Sequence, residues 1–320
     1  MKQIIFSFFI ITLLISCSQK DEAEKAINAI GTNITIERFD LAFYKATKGS
    51  LPELKKTYPF MFPKTYPDSV WVSRLNDTLQ QELSREVKKV YPNTENVELE
   101  IESLFNHITY YFPEFHPPRV ITTTSFVDYR NKVIVTDTIA LVALDNFLGK
   151  DHYFYEGIPA YIAANLRPDQ IVVEMANAYA EKYVFQKNQK TLLDKMVFFG
   201  KLLYFKDQVI PFKSEAERMG YTEDELQWAK TNESDIWRYF VERELLYSTD
   251  AKLSGRFIID APFSKFYLEE IDTDSPGRLG QFIGWQIVRA YMENNDVSLN
   301  TMITEDAETI FNNSKYKPRK

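Results

Sequence analysis

The first long apolar run of the chain lies at its beginning. Residues 4–15 are apolar except for Ser7 and Thr12, and Lys2 precedes them with a positive charge. A run of about a dozen residues has the length of the hydrophobic region of a signal peptide, whereas about 20 residues are needed to span a bilayer as a helix. The pattern therefore predicts an exported protein with a signal peptide over residues 1–16.

The end of this run carries a second signal. Leu14-Ile15-Ser16-Cys17 matches the lipobox, in which a small residue precedes the cysteine whose thiol receives a diacylglycerol group. Cys17 is also the only cysteine of the chain. We expect lipidation at Cys17, which would attach the mature protein to a lipid bilayer through its acyl chains. Residues 17–32 begin with a charged, weakly apolar stretch and are predicted to form a lipidated tether.

Apolar residues recur at helical spacing in the first part of the body. Between about residues 70 and 90 they fall on one helical face, which predicts a helix with an apolar stripe made of Val72, Leu75, Leu79, Leu83 and Val87. A second helix is predicted over residues 97–111, ending before Pro113.

The pattern then changes to short β-branched segments. Strands are predicted over residues 119–125, 132–135 and 139–144, separated by turn residues. Helical periodicity returns afterwards, over residues 168–185, 190–206, 222–230, 233–247 and from Ser275-Pro276-Gly277 to about Asn294. Without a repeat or an evident linker, residues 33–320 are expected to form a single globular domain. The fold class is therefore α+β: a predominantly helical single domain with a small sheet.

Composition and charge narrow the classes of function. Loss of Lys2 with residues 1–16 changes the formal net charge from −7 to −8. An acidic protein has no general electrostatic reason to bind nucleic acid, so no nucleic-acid partner is expected. The mature chain has no thiol for a disulfide, and its 19 Tyr and 24 Phe residues favour a well-packed core.

One predicted helix resembles that of the zincin metallopeptidases. Those enzymes carry His-Glu-x-x-His on a helix behind a small sheet, where the two His bind zinc and the Glu acts as general base. Glu174 occupies the Glu position, but Val173 and Asn177 stand where the two His would be. Valine cannot coordinate a metal and an amide is a weak ligand. We therefore predict a zincin-like architecture that lacks the metal motif, with no metal, no cofactor and no catalytic residue. Glu174 would be catalytic only if other ligands replaced the missing ones.

A candidate binding groove is predicted from two other segments. Gly280 and Gly284 fall on one face of the last long helix, where a second element can approach closely. Close helix packing explains this spacing, and so does a groove that also includes the aromatic loop at residues 152–157. The groove hypothesis comprises Tyr153, Tyr155, Glu174, Asn177, Arg278, Gly280, Gly284 and Trp285.

Several segments together resemble a known family. The lipobox at Cys17, Leu144–Gly149, Glu244–Asp250 and the run from Ser275 to Tyr291 are similar to the gliding-motility lipoprotein family GldB of Bacteroidetes. The resemblance extends over essentially the whole chain. It implies a cell-envelope lipoprotein required for gliding, a process linked to the type IX secretion system. The same segments are more distantly similar to a family of predicted zinc peptidases, in which the motif around Glu174 would be degenerate.

These observations predict a lipoprotein anchored in the outer membrane, on either its periplasmic or its surface face. It would act in gliding as a non-catalytic scaffold or binding component, with other gliding or secretion proteins of the envelope as partners. Two alternatives stay open at this point. One is a metal-dependent peptidase or cell-wall hydrolase with atypical ligands around Glu174, and the other is a peptide- or glycan-binding module.

Overall fold

The computed structural model describes residues 22–319. The predicted signal peptide and Cys17 lie outside this range. The helices of the first half are α1 (22–30), α2 (Phe39–Lys45), α3 (Leu51–Thr57), α4 (Asp68–Leu75), α5 (Thr78–Val90) and α6 (Glu95–Tyr111). The strands are β1 (Arg119–Thr123), β2 (Val133–Val135) and β3 (Ile139–Ala143).

The second half is helical. Its helices are α7 (Ala160–Ala163), α8 (Ile171–Tyr183), α9 (Leu192–Val209), α10 (Glu215–Met219), α11 (Glu223–Thr231), α12 (Glu233–Glu242), α13 (Lys252–Phe257), α14 (Glu269–Asp272), α15 (Leu279–Asn294), α16 (Leu299–Met302) and α17 (Ala307–Ser314). Short 3-10 helices cover Pro59–Met61, Leu144–Asn146, Tyr153–Tyr155 and Pro168–Gln170. The predicted α+β class, with more helix than strand and one small sheet, is confirmed.

The three strands form one sheet in the order β1-β3-β2. β1 runs parallel to β3, with Val120 opposite Ala140, and β2 runs antiparallel to β3, with Ile134 opposite Leu141. Alternate residues of a strand point to opposite faces. Accordingly Val120 lies in the main core, whereas Ile121 packs into a smaller cluster of Phe39, Phe43, Leu51, Phe62, Trp71 and Leu75. Both faces of the sheet are therefore partly covered.

The predicted helix over residues 70–90 is wrong in one respect, because the chain forms two helices there. α4 ends at Leu75, and Asp77 begins α5 by accepting a hydrogen bond from the backbone N–H of Gln80 at 2.8 Å. An Asp cap of this kind satisfies one of the free N–H groups at a helix start. The break shifts the apolar stripe, so Leu79 is 45% exposed while Leu83 and Val87 are buried.

The main core is built around α9 and α15. At one point the backbones of these two helices are in direct contact, with no side chain between them. A Cβ atom on Gly284 would lie 1.8 Å from the carbonyl oxygen of Met196, and one on Gly200 would lie 2.3 Å from the carbonyl oxygen of Gly284. Only glycine permits such backbone contact. The spacing of Gly280 and Gly284 is thus explained by close packing: Gly284 faces α9, and Gly280 faces the backbone of Phe257 and the side chain of Ile258.

Part of the predicted tether is structured. Residues 22–30 form α1, whose Ile27 is 2% exposed. Glu24 approaches the Nε2 atom of His107 at 3.6 Å, and the backbone N–H of Thr32 donates to Asn106 at 3.0 Å. The buried Ile27 explains why a segment with few apolar residues still folds onto the body. Among residues 22–319, no helix has both the length and the apolar character needed to cross a membrane.

Candidate functional site

Two neighbouring cavities form a cleft beside α8 and α10. The large cavity has a volume of about 1400 Å³ and lies between residues 148–169 on one side and residues 214–225 on the other. The small cavity, of about 260 Å³, lies against α8 and α9. They have five lining residues in common, which are Tyr161, Asn165, Gly220, Asp260 and Arg278. We call the two together the cleft.

The boundary between the cavities is fixed at Gly220. This residue ends α10 in the left-handed conformation, with φ of 68°, which glycine adopts without strain. Its carbonyl oxygen accepts one hydrogen bond from Asn165 at 3.0 Å and another from Arg278 at 2.9 Å. The two walls of the cleft are therefore tied together through one backbone carbonyl.

Arg278 reaches the cleft from the start of α15. Its backbone is itself left-handed, with φ of 58°, and its guanidinium lies over the ring of Tyr221 at 5.3 Å. The Nε atom is 3.4 Å from a carboxylate oxygen of Asp260, whose side chain is largely exposed. Arg278 thus presents a partly exposed positive charge to both cavities.

Glu174 lies in the small cavity and forms an ion pair with Lys132, the residue before β2. The side chains are 26% and 16% exposed, so both are partly buried. At the neighbouring positions of the zincin motif, Val173 is buried in the main core and Asn177 donates a hydrogen bond to Glu181 at 2.9 Å. Val173 and Asn177 thus have packing and hydrogen-bonding roles of their own.

Metal-ligating residues are not gathered in the cleft. Over residues 22–319, no three His, Cys, Asp or Glu side chains are placed together as a possible metal site. His107 lies in α6 near Glu24, His116 bonds the carbonyl oxygen of Glu114, and His152 approaches Glu86 at 3.5 Å. Only His152 lines the large cavity.

Five of the eight residues of the predicted groove lie outside the cleft. Trp285 is fully buried, donates its indole N–H to Asp207 at 2.8 Å and lies 3.7 Å from the guanidinium of Arg289. Gly280 and Gly284 are used in helix packing. These three residues are buried because α15 is covered on nearly all sides by other elements.

The aromatic loop contributes less than predicted. Tyr155 is buried, where it donates to the carbonyl oxygen of Asp145 and accepts from the N–H of Leu148. Tyr153 is 46% exposed, donates to Glu82 at 2.8 Å and stacks on His152. The structure therefore joins Glu174, Asn177 and Arg278 in one cavity and separates them from the other five residues.

Three residues that line the small cavity with Glu174 were not predicted from the sequence: Lys206, Arg218 and Gln170. Lys206 is 6% exposed and donates to the carbonyl oxygen of Arg218. Its burial lowers the pKa of its ammonium group to about 8. A signal was present in the sequence, because Lys201 and Lys206 interrupt an otherwise apolar helix at residues 196–206.

The wall that carries Arg218 is fixed to the core by a network of charges. Asp207 lies 2.7 Å from the Nε of Arg289 and 3.2 Å from the Nε of Arg218, and Arg289 also binds Glu215 at 2.7 Å. Burial acts to raise the pKa of Glu215, but hydrogen bonds and charges from Lys230 and Arg289 outweigh it and lower the pKa to about 2. α9, α10 and α15 are thus linked behind the cleft.

Fold and site define a helical α+β protein with a polar cleft, in which the carboxylate of Glu174 is held by Lys132. The chain belongs to the GldB family of gliding motility proteins, whose family model matches residues 20–318. Membership of this lipoprotein family fits attachment to a membrane by a lipid anchor. No curated protein and no solved structure was found to match the chain.

Proposed function

We propose that the protein is an outer-membrane lipoprotein of the gliding machinery, and that it binds a polypeptide segment of an envelope partner in the cleft without catalysing a reaction. The ion pair between Glu174 and Lys132 carries this proposal. The proposed lipidation at Cys17 would supply the membrane anchor. The outer membrane and the link to type IX secretion come from the family resemblance described above.

The ion pair argues for binding and against catalysis, because it engages Glu174. This residue stands at the position that the general base takes in the His-Glu-x-x-His motif. A general base must accept a proton from a water or a substrate within hydrogen-bond reach. The ammonium group of Lys132 already donates to the carboxylate of Glu174, and both side chains are largely covered. Separating a partly buried pair leaves each charge without its partner, at a cost between that of an exposed pair and that of a fully buried one. Glu174 is therefore better suited to fix β2 on α8 than to move protons.

The size and lining of the cleft favour a polypeptide ligand. The large cavity, at about 1400 Å³, exceeds the roughly 300–1,000 Å³ of small-molecule pockets. Its walls offer positive, negative and aromatic side chains, among them Arg167, Glu217 and Tyr161. A segment of several residues can use such mixed chemistry, because each of its side chains meets a different partner.

A charge exchange tests whether Glu174 has a structural or a catalytic role. Strains would carry Glu174→Lys, Lys132→Glu or both changes in place of the native residues. We expect each single change to reduce gliding, because like charges then face each other in the small cavity. The double variant should recover most of it, because the ion pair is restored in reverse. Gliding would be measured as colony spreading and as the speed of single cells.

The matched control lies on the same two structural units. Lys182 of α8 pairs with Asp137 before β3, but the two side chains are 39% and 88% exposed and line neither cavity. Exchange of this pair should leave gliding unchanged, as expected for a surface ion pair. If the Lys132/Glu174 double variant is as abundant as the native protein but does not glide, the carboxylate itself is required at position 174. That outcome would reject the proposal in favour of the peptidase alternative.

A further inference from the structure

We propose that the small cavity binds a carboxylate of the polypeptide held in the cleft, either its C-terminal group or an acidic side chain. The inference deepens the binding role proposed above and rests on it for the identity of the ligand. It depends on two donor groups of the small cavity that still have hydrogen-bonding capacity.

Lys206 is the first of these groups. Its ammonium has three N–H donors, of which one is used by the carbonyl oxygen of Arg218. Among the described residues it forms no ion pair with a carboxylate, although it is 6% exposed and lines the cavity. A buried charge is normally paired, because removing an ion from water is costly. With a pKa near 8, the group is mostly positive at neutral pH.

Gln170 is the second group. It belongs to the 3-10 helix that precedes α8, is 1% exposed and lines the same cavity. Its amide nitrogen is buried and has no hydrogen-bond partner. Most buried polar groups in native proteins have a partner, so an unpaired donor in a residue of the cavity wall favours a ligand that accepts hydrogen bonds.

Each carboxylate that lines the cavity already has a donor against it. Glu174 accepts from Lys132, and Glu181 accepts from Asn177. Arg278 adds a guanidinium that is only partly neutralised by the exposed Asp260. Positively charged donors with remaining hydrogen-bonding capacity favour a ligand with a negative charge and at least two acceptor oxygens. A carboxylate meets this demand and fits a space of about 260 Å³.

Small probes separate the possible sources of the anion. The full chain in detergent would be titrated by calorimetry with tri-alanine, its C-terminal amide, N-acetyl-aspartate N-methylamide and inorganic phosphate. We expect binding of tri-alanine without binding of its amide if the C-terminus is recognised. Binding of the aspartate derivative supports a side-chain carboxylate. Binding of phosphate alone, or of none of the probes, would overturn the proposal.

Variants connect binding to the two donor groups. Lys206→Met should weaken binding of the preferred carboxylate at least tenfold, and Gln170→Glu should weaken it similarly, because it places a negative charge beside the ligand. The control is Lys201→Met: Lys201 is also a buried lysine of α9 that donates to a backbone carbonyl, but it lines neither cavity. Unchanged affinity in both cavity variants would contradict the proposal.

The outcome of the carboxylate-binding experiment can be judged independently of the gliding assay. If the charge exchange at Lys132 and Glu174 restores gliding but no carboxylate binds, the carboxylate subsite is wrong and the binding role stands. If carboxylates bind but the exchanged pair does not support gliding, the subsite stands and the non-catalytic role is wrong.

Discussion

Two lysines on α9 are the most unusual residues of the core. Lys201 is fully buried and Lys206 nearly so, and each donates to a backbone carbonyl oxygen, those of Glu305 and Arg218. Burial disfavours the charged form and lowers the pKa of each to about 8, against 10.5 for an exposed lysine. Their long apolar stems fit the core, but their charged ends reduce stability at neutral pH.

This burial predicts how stability depends on pH. Between pH 8 and 10.5 the unfolded chain holds protons on these lysines that the folded chain has released, so the free energy of unfolding rises with pH, by up to about 1.4 kcal/mol per pH unit for each lysine. Denaturant midpoints of the native chain should therefore increase from pH 7 to about pH 10. The Lys201→Met/Lys206→Met variant should be more stable at pH 7 and should lack this rise.

The rise of stability with pH ends near pH 10 for a separate reason. Burial raises the pKa of Tyr179 and Tyr221, so the folded chain keeps protons that the unfolded chain loses above pH 10. Stability should then fall with pH in both proteins. Curves of equal slope between pH 8 and 10 would show that the lysines do not titrate as described.

The candidate site was only partly predictable at the level of single residues. Glu174 and Asn177 were found because they occupy two positions of the His-Glu-x-x-His spacing. Arg278 was found because it directly precedes the helix that carries Gly280 and Gly284. Lys132, Gln170 and Arg218 come from separate parts of the chain and meet only after folding. No local pattern connects them, so their grouping required the structure.

At the level of elements, the contact between α9 and α15 depends on glycine. Gly284→Ala would place a methyl group 1.8 Å from the carbonyl oxygen of Met196, where only movement of a backbone relieves the clash. We expect a loss of about 3 kcal/mol or more in the free energy of unfolding, at or above the upper end for overpacking. Gly255→Ala in α13 is the control, because nothing lies within 4 Å of the new methyl group. It should be neutral or stabilising by about 0.5–1 kcal/mol. Chemical denaturation of both variants checks the difference.

Elements with a strong local pattern were predicted well. α6, α8, α15 and the three strands lie where periodicity and turn residues placed them. The prediction was wrong at ends and breaks: residues 70–90 divide at Asp77, and α12 stops at Glu242 instead of residue 247, with Glu244 in a left-handed conformation. Such boundaries depend on single capping or turn residues, which an apolar stripe over several turns does not reveal.

For the whole molecule, the docking of α1 decides how the N-terminal part is held. Ile27 is its buried anchor, and burial of an isoleucine stabilises by about 1.5–3 kcal/mol. Ile27→Asp should release α1, with faster tryptic cleavage after Lys25 and faster amide exchange over residues 22–30. Asn28→Asp adds the same charge at an exposed position and should leave both rates near the native values. Equal cleavage of the two variants would show that Ile27 does not hold this helix.

The docking of α1 also limits the length of free chain between a lipid anchor at Cys17 and the folded body. Five Cα-to-Cα steps separate Cys17 from residue 22, and an extended chain covers at most about 3.6 Å per step, or about 18 Å in all. Acylation of Cys17 would thus hold residue 22 less than half a bilayer thickness from the membrane surface. The folded body would then stay at the membrane surface, so its encounters with membrane-bound partners would occur in two dimensions.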